Sequence, residues 1–240
     1  MLIKVCLNGG RGRDEHPALP FTPAELAQAA RAAVDAGAGA VHMHPRNARG
    51  AQSLAADDVA AAVAAVRAAC PGVPVGGTTI DMIEPDVTKR VALLRSWTVL
   101  PDFVSVNFSE HGTRDVCDAL LQKGVGIEAG LANADDVRLL LSLGLADTCV
   151  RLMFEPDEQH VAEALENVRA METLLDAAHV QTPRLLHGFE HSAWPLLDIA
   201  LQRGYDTRIG FEDTLFMPDG SRAPSNAALV AAARERVKSS

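Results

Sequence analysis

Two histidines one residue apart, His42 and His44, lie in the run Gly39-Ala40-Val41-His42-Met43-His44-Pro45-Arg46, an apolar stretch passing into a polar one. Side chains alternate along a strand, so both imidazoles share a face while Met43 takes the other. Far downstream, Arg208-Ile209-Gly210-Phe211-Glu212-Asp213 is a second apolar run, ending in adjacent carboxylates. Two imidazoles and a carboxylate make a three-ligand set with an open coordination position, as in catalytic zinc sites. Alternation also sends Glu212 and Asp213 in different directions, so their roles should differ. A plainer use for the pair is a helix N-cap, where acidic residues are favoured.

The elements that must position these residues alternate eight times. Short apolar strands are expected at 2–7, 40–44, 73–77, 103–108, 125–129, 149–154, 184–187 and 207–211. Helices are expected from Thr22 to about 36, at 56–69, after Glu84, after Gly112, after Asn133, at 158–178, up to about Arg203, and from Ser225. Thr22-Pro23-Ala24-Glu25 reads as an N-cap, a proline at the first helical position and a capping glutamate at the third. Strands without polar alternation suit a sheet covered on both faces. This count and size fit a single-domain (β/α)8 TIM barrel over residues 1–240. The rival, a doubly wound open sheet, would be unusual at eight strands in this length, and no Gly-x-Gly-x-x-Gly turn follows the first strand.

A barrel of this type carries its active site at the C-terminal ends of the strands. Polar residues collect there: Asn8 leading to Arg11, Arg13, Asp14, Glu15 and His16, then His42, His44 and Arg46, Thr78 and Thr79 after Gly76-Gly77, Asn107, Ser109 and Glu110, Glu128, Glu155, His187, and Glu212 with Asp213. His187-Gly188-Phe189-Glu190-His191 matches the H-x-x-E-H pattern of inverted zinc proteases, but that motif needs a continuous helix, and Gly188 follows a strand.

Composition removes other classes. Hydrophobic residues make up 48% of 240, enough for a substantial core. A net charge of −9, with no basic block, argues against nucleic acid as a partner. The four cysteines have neither metal-knuckle nor disulfide spacing and read as reduced, buried thiols. No apolar run approaches the length of a membrane helix, and the first residues turn polar too soon for a signal peptide, so a cytoplasmic protein is expected.

The motifs are similar to those of the β-keto acid cleavage enzymes. The resemblance rests on Asn8-Gly9-Gly10, the run from Arg13 to Glu25, Ala36-Gly37-Ala38 leading into Val41-His42-Met43-His44-Pro45-Arg46, and Arg208-Ile209-Gly210-Phe211-Glu212-Asp213, which matches an R-x-G-x-E-D signature. It implies a TIM barrel with a divalent metal, usually zinc, held by His42, His44 and Glu212. It further implies reaction of a β-keto acid with acetyl-CoA to give acetoacetate and a new acyl-CoA. Asp213 matches the family's base and Arg208 its orienting partner. Thr78 falls where a serine lies near the keto acid carboxylate, Asn107 where a threonine or asparagine stands, and Glu128 where a pocket glutamate stands. Asp14 replaces a usual glutamate, with Glu15 beside it. Relatives form homo-oligomers, commonly tetramers.

The chemistry also follows from the residues. An ion on two neutral imidazoles and one carboxylate keeps positive charge and an open face for a keto oxygen. Asp213 is placed to move a proton to or from carbon. Thr78, Asn107 and Arg46 supply groups for carboxylate or carbonyl oxygens. A CoA-independent metal-dependent aldolase, lyase or hydrolase would use the same ligands, and a metal-loaded binding protein would not need Arg208 beside Asp213.

Overall fold

The computed structural model describes residues 1–239; Ser240, the last residue of the expected domain, lies outside the described residues. Eight strands alternate with eight helices: β1 Ile3–Cys6, α1 Pro23–Asp35, β2 Ala40–Met43, α2 Ala56–Ala69, β3 Val75–Thr78, α3 Val87–Ser96, β4 Phe103–Asn107, α4 Thr113–Gln122, β5 Gly126–Leu131, α5 Ala134–Ser142, β6 Arg151–Phe154, α6 Val161–Ala177, β7 Arg184–Leu186, α7 Ala193–Arg203, β8 Thr207–Ile209 and α8 Asn226–Ser239. All strand pairs are parallel, in the order β7-β6-β5-β4-β3-β2-β1-β8. A single parallel bridge, Leu185 to Asp206, joins the two ends of that sheet. Leu186 N–H donates to the Asp206 carbonyl at 3.0 Å, and Asp206 N–H to that of Arg184 at 3.0 Å. The ring is therefore closed. The molecule is a (β/α)8 TIM barrel, and the open sheet is excluded.

Alternation sorts the strand residues into two environments. Val5, Val41, Ile127 and Leu152 face outward and pack with the buried helix residues Leu26, Val63, Leu140 and Val168 in one apolar shell. Their neighbours face the barrel axis, as contacts between non-adjacent strands show: Lys4 on β1 meets Glu128 on β5, and Arg208 on β8 meets Met153 on β6. Local signals set the helix starts. Thr22 accepts from Glu25 N–H at 3.2 Å, and the Glu25 carboxylate accepts from Thr22 and Phe21 N–H at 2.9 and 2.8 Å.

Several strands end sooner than the apolar runs suggest, while β3 and β5 run on to Thr78 and Leu131, past the expected 77 and 129. β2 stops at Met43, β7 at Leu186 and β8 at Ile209, each short of the expected 44, 187 and 211. At the β2 end the reason is visible: the Asn8 side chain takes over the ladder, accepting from His44 N–H at 2.9 Å and donating to the His44 carbonyl at 3.0 Å. β6 begins at Arg151 rather than 149, because residues 146–148 form a 3-10 turn and Cys149 N–H bonds back to Leu145. A second 3-10 turn, Glu190–Ser192, precedes α7.

Gly210 lies where β8 presses on β1. A Cβ at this position would sit 2.0 Å from the Cys6 carbonyl oxygen. Gly210→Ala is therefore expected to destabilise the barrel by about 3 kcal/mol or more, a Tm fall of roughly 6–12 °C for a chain of this size. Scanning calorimetry checks this, and an unchanged Tm would mean that β8 can leave β1 freely.

All four cysteines are free and buried. Among the described residues no helix is long and apolar enough to cross a membrane.

Candidate active site

The mouth of the barrel brings the two ends of the chain together. His42 Nε2 lies 3.5 Å and His44 Nε2 3.7 Å from Glu212 Oε2. The three donor atoms all lie within 4.8 Å of one another. Two donors about 2.1 Å from one tetrahedral centre would stand about 3.4 Å apart, close to the two spacings seen. Glu212 Oε2 is buried with no hydrogen-bond partner, and so is His42 Nδ1. A buried carboxylate oxygen left bare is costly unless something occupies the space before it. The donor set thus fits a divalent cation.

The protonation states agree. Burial holds His42 near 3, and burial likewise lowers His44, so both imidazoles are neutral at pH 7. Burial alone would raise Glu212, but the Arg208 guanidinium, with Lys4, overcomes it and keeps the carboxylate ionised. The tautomer of His44 is set by Gln52, whose Oε1 lies 2.5 Å from His44 Nδ1; an amide oxygen accepts, so Nδ1 carries the proton and Nε2 offers its lone pair. Cys6 also lies beside Glu212 and Asp213. Burial raises its thiol well above the usual range, against Arg208, which leaves it a poor ligand.

Asp213 is fully buried beside the donor set. Its Oδ1 accepts from Arg208 Nε at 2.9 Å and Nη2 at 2.7 Å, while Oδ2 has no partner. Burial and the neighbouring Glu212 charge raise its pKa against the pull of Arg208. Arg208 also reaches Glu212 Oε1 at 2.9 Å, so one guanidinium orients both carboxylates of the Glu212-Asp213 pair. The expected difference in their roles matches this geometry: Glu212 faces the histidines, and Asp213 faces His187, whose Nδ1 is 3.5 Å from Oδ1.

The remaining expected site residues divide by depth. Thr78 is buried at the end of β3, its hydroxyl accepting from Ile80 N–H at 3.1 Å. Asn107 is half-buried at the end of β4; its Nδ2 donates to Glu110 at 3.0 Å, and Arg90 holds Glu110 from beneath at 2.7 Å. Arg46 donates to the carbonyls of Gly9, Arg11 and Gly50 and lies over the Phe21 ring. Glu128, expected at the substrate pocket, lies inside the barrel lumen. It is 0% exposed, with one oxygen paired to Lys4 and the other 2.5 Å from Arg151 Nη1. Asp14 is exposed on the β1–α1 loop, and no hydrogen bond or ion pair joins it to the donor set among the described residues. Its neighbour Glu15 pairs with Arg11 at 3.0 Å and caps Gly12 N–H at 2.6 Å. His191 is exposed on the 3-10 turn while His187 is buried at the end of β7, so the H-x-x-E-H residues do not converge.

Several groups of the site are given no role by the sequence, although Arg11 and Glu155 stand there among the polar residues at the strand ends. Lys4 supplies the buried positive charge of the lumen, and a lone lysine inside an apolar strand was the signal for it. Glu155 lies across from Asp213, with Oε2 3.4 Å from His187 Nε2, and burial pushes it up to about 8. Gln52 returns to His44 through the hairpin turn at Gly50, and no spacing rule foretells that. Arg11 straps the mouth, bonding Glu15, Glu190 and the Phe211 carbonyl.

The family model for the beta-keto acid cleavage enzymes matches residues 1–240, the whole chain. The chain belongs to this family. As a beta-keto acid cleavage enzyme, it is 25% identical over 246 residues to the 3-keto-5-aminohexanoate cleavage enzyme of Fusobacterium nucleatum subsp. nucleatum, covering 96% of this chain and 88% of that protein. The protein of the same name from Acetoanaerobium sticklandii is 24% identical over 252 residues, covering 96% and 89%. Among solved structures, the ternary complex of ObcA with a C4-CoA adduct and oxalate superposes with a TM-score of 0.75 at 17% identity. That match covers 93% of this beta-keto acid cleavage enzyme but 64% of the ObcA chain, so this barrel spans under two thirds of that relative.

Proposed function

We propose that this enzyme reacts a β-keto acid with acetyl-CoA to give acetoacetate and a new acyl-CoA. The observation that carries the reading is the bare Glu212 Oε2 facing two neutral imidazoles, with the Arg208–Asp213 pair beside it. Family membership and the named relatives support the reaction class.

His42, His44 and Glu212 would hold a divalent ion, zinc by donor type. Bound there, it supplies a Lewis acid for the keto oxygen. Asp213 removes a proton from the carbon between the keto and carboxylate groups, using the oxygen that Arg208 leaves free. Arg208 keeps that carboxylate aimed and balances its charge before and after the proton moves. The hydroxyl of Thr78 and the amide of Asn107 receive the substrate's carboxylate and carbonyl oxygens at the mouth. Arg46 lies farther out, holding the Gly9 and Arg11 carbonyls. Glu128 acts through Lys4 as the charged floor and does not touch substrate. Asp14 is assigned no step. In the balance of the reaction, the carbanion bonds to the acetyl carbonyl carbon as CoA thiolate leaves. The thiolate then takes the original acyl group, the bond to the departing acetoacetate breaks, and the electron pair left on its carbon takes back the proton held by Asp213.

The test is an assay of zinc-loaded protein with acetyl-CoA and a panel of β-keto acids, detecting acetoacetate and the new acyl-CoA together. Both products from one substrate support the reading; turnover of a keto acid without CoA would replace it with a lyase or hydrolase. The Gln52 contact gives a further expectation. Gln52→Ala should weaken zinc binding about 10- to 100-fold by freeing the His44 ring, measured by competition with a chromogenic chelator. An unchanged affinity would show that Gln52 does not orient His44.

A further inference from the structure

We infer that the groove between the start of α1 and the β2–α2 loop seats the phosphates of the acyl-CoA co-substrate; this deepens, and rests on, the acetyl-transfer reading above. The groove encloses about 380 Å³ and is lined by Arg13, Arg46 and Arg49 with Phe21, Thr22 and Asp58. Arg13 is paired with Glu25 at 3.1 Å, which leaves Arg46 and Arg49 as a local excess of positive charge on a chain whose net charge is −9. Asp58 is already occupied, accepting from the Ser53 hydroxyl at 2.6 Å. Among the described residues neither Arg46 nor Arg49 pairs with a carboxylate.

Arg46 is the informative member. Its guanidinium is half-buried and bonded to three backbone carbonyls, and its buried Nε has no partner. A desolvated cation with no counter-ion is unfavourable unless an anion arrives to complete it. The Phe21 ring fixes the geometry: the Arg13 and Arg46 guanidiniums lie 4.5 and 4.6 Å from its centroid. Held side groups of this kind bind phosphate without first losing freedom.

Position selects the ligand. Arg46 Nη2 donates to the Gly9 carbonyl at 2.6 Å, and a Cβ on Gly9 would stand 2.5 Å from Glu212 Cγ. Arg46, on the groove's lining, is thus bonded to the backbone that abuts Glu212 and lies two residues from His44. In acetyl-CoA the pantetheine arm separates the reacting thioester from the phosphates, so their seat must lie to the side of the reacting centre, as this groove does. CoA is also the one phosphate-bearing reactant in the proposed reaction.

The test compares acetyl-CoA with acetyl-pantetheine, which lacks the nucleotide phosphates, in wild type, Arg49→Glu and Arg49→Lys. Arg49→Glu should raise KM for acetyl-CoA about tenfold, the loss of one charged hydrogen-bonded contact. KM for acetyl-pantetheine should stay unchanged, and Arg49→Lys should recover most of the loss. Pyrophosphate should compete with acetyl-CoA and not with acetyl-pantetheine. Equal effects on both thioesters, or none on either, would overturn the assignment, as would an inhibition by pyrophosphate indifferent to Arg49. If wild type turns over neither thioester, the reaction reading falls, and calorimetric titration with CoA decides the groove alone. Weaker CoA binding by Arg49→Glu then upholds it, and equal or absent binding rejects it.

Discussion

Asp213→Asn is expected to lower kcat by roughly three to four orders of magnitude while the protein keeps its full complement of metal. The substitution is nearly isosteric, and the amide oxygen still accepts from Arg208, whose Nε and Nη2 lie 2.9 and 2.7 Å from Oδ1. What is lost is the free Oδ2, the one buried oxygen of the pair able to take a proton from substrate. Metal is retained because the three proposed donors, His42 Nε2, His44 Nε2 and Glu212 Oε2, are untouched. His44→Ala is the counterpart, removing one donor and leaving Glu212 Oε2 with one imidazole, so metal and turnover should vanish together. Steady-state rates and elemental analysis on the same preparations separate the two behaviours. Loss of metal from Asp213→Asn would move Asp213 into the donor set. Undiminished turnover by metal-free wild type would sink the scheme.

Glu128→Ala is expected to cost about 3–5 kcal/mol of stability, a fall in Tm of roughly 6–20 °C. Inside the barrel, Glu128 lies between Lys4 and Arg151, and Arg151 continues to Asp206 at 3.1 Å. Burial by itself would raise Glu128, yet Lys4 and Arg151 hold it ionised. Removing it strands a fully buried ammonium beside a partly buried guanidinium, and the penalty is that of an unpaired charge rather than of a lost contact. The paired change Lys4→Met with Glu128→Leu should recover much of the loss, since neighbours that share one interaction are not additive. Thermal unfolding of the two single variants and the double variant measures the coupling. A single-variant cost below about 1 kcal/mol would show that these charges are hydrated rather than buried.

The fold was legible because hydrophobic runs and helix signals recur with a regular spacing. Thr22-Pro23-Ala24-Glu25 announces α1, and apolar runs such as 40–44 and 125–129 mark β2 and β5. His42 and Glu212 were legible for a related reason: a polar side chain at the end of an apolar strand has few places to point. What periodicity does not carry is depth along the barrel axis. Glu128 and Thr78 both come from strands facing the lumen, yet Glu128 lies among Lys4 and Arg151, a layer below the mouth. Nor does it carry contacts made by loops folding back, which is how Gln52 meets His44 and Arg11 reaches Glu190. Strand ends were overrun for a third reason. A side chain, Asn8, replaces a backbone neighbour at His44, and composition does not distinguish the two.

The seam between the first and last strands has a consequence for how the protein is made. Asn8 and the two histidines leave a ribosome long before Glu212, and β8 holds Glu212 only after it has docked on β1, with Thr207 N–H bonded to the Leu2 carbonyl at 3.0 Å. Asn226 then ties both edges, donating to the Leu7 carbonyl at 2.9 Å and accepting from Phe211 N–H at 2.8 Å. Such contacts between distant parts of a chain form slowly, because a long loop must close before they return any free energy. A nascent chain therefore carries two uncommitted imidazoles and has no three-donor pocket until β8 and Glu212 have been made and docked on β1. Ion capture would then act as a latch on the completed ring, favouring the closed barrel in proportion to how tightly it is held.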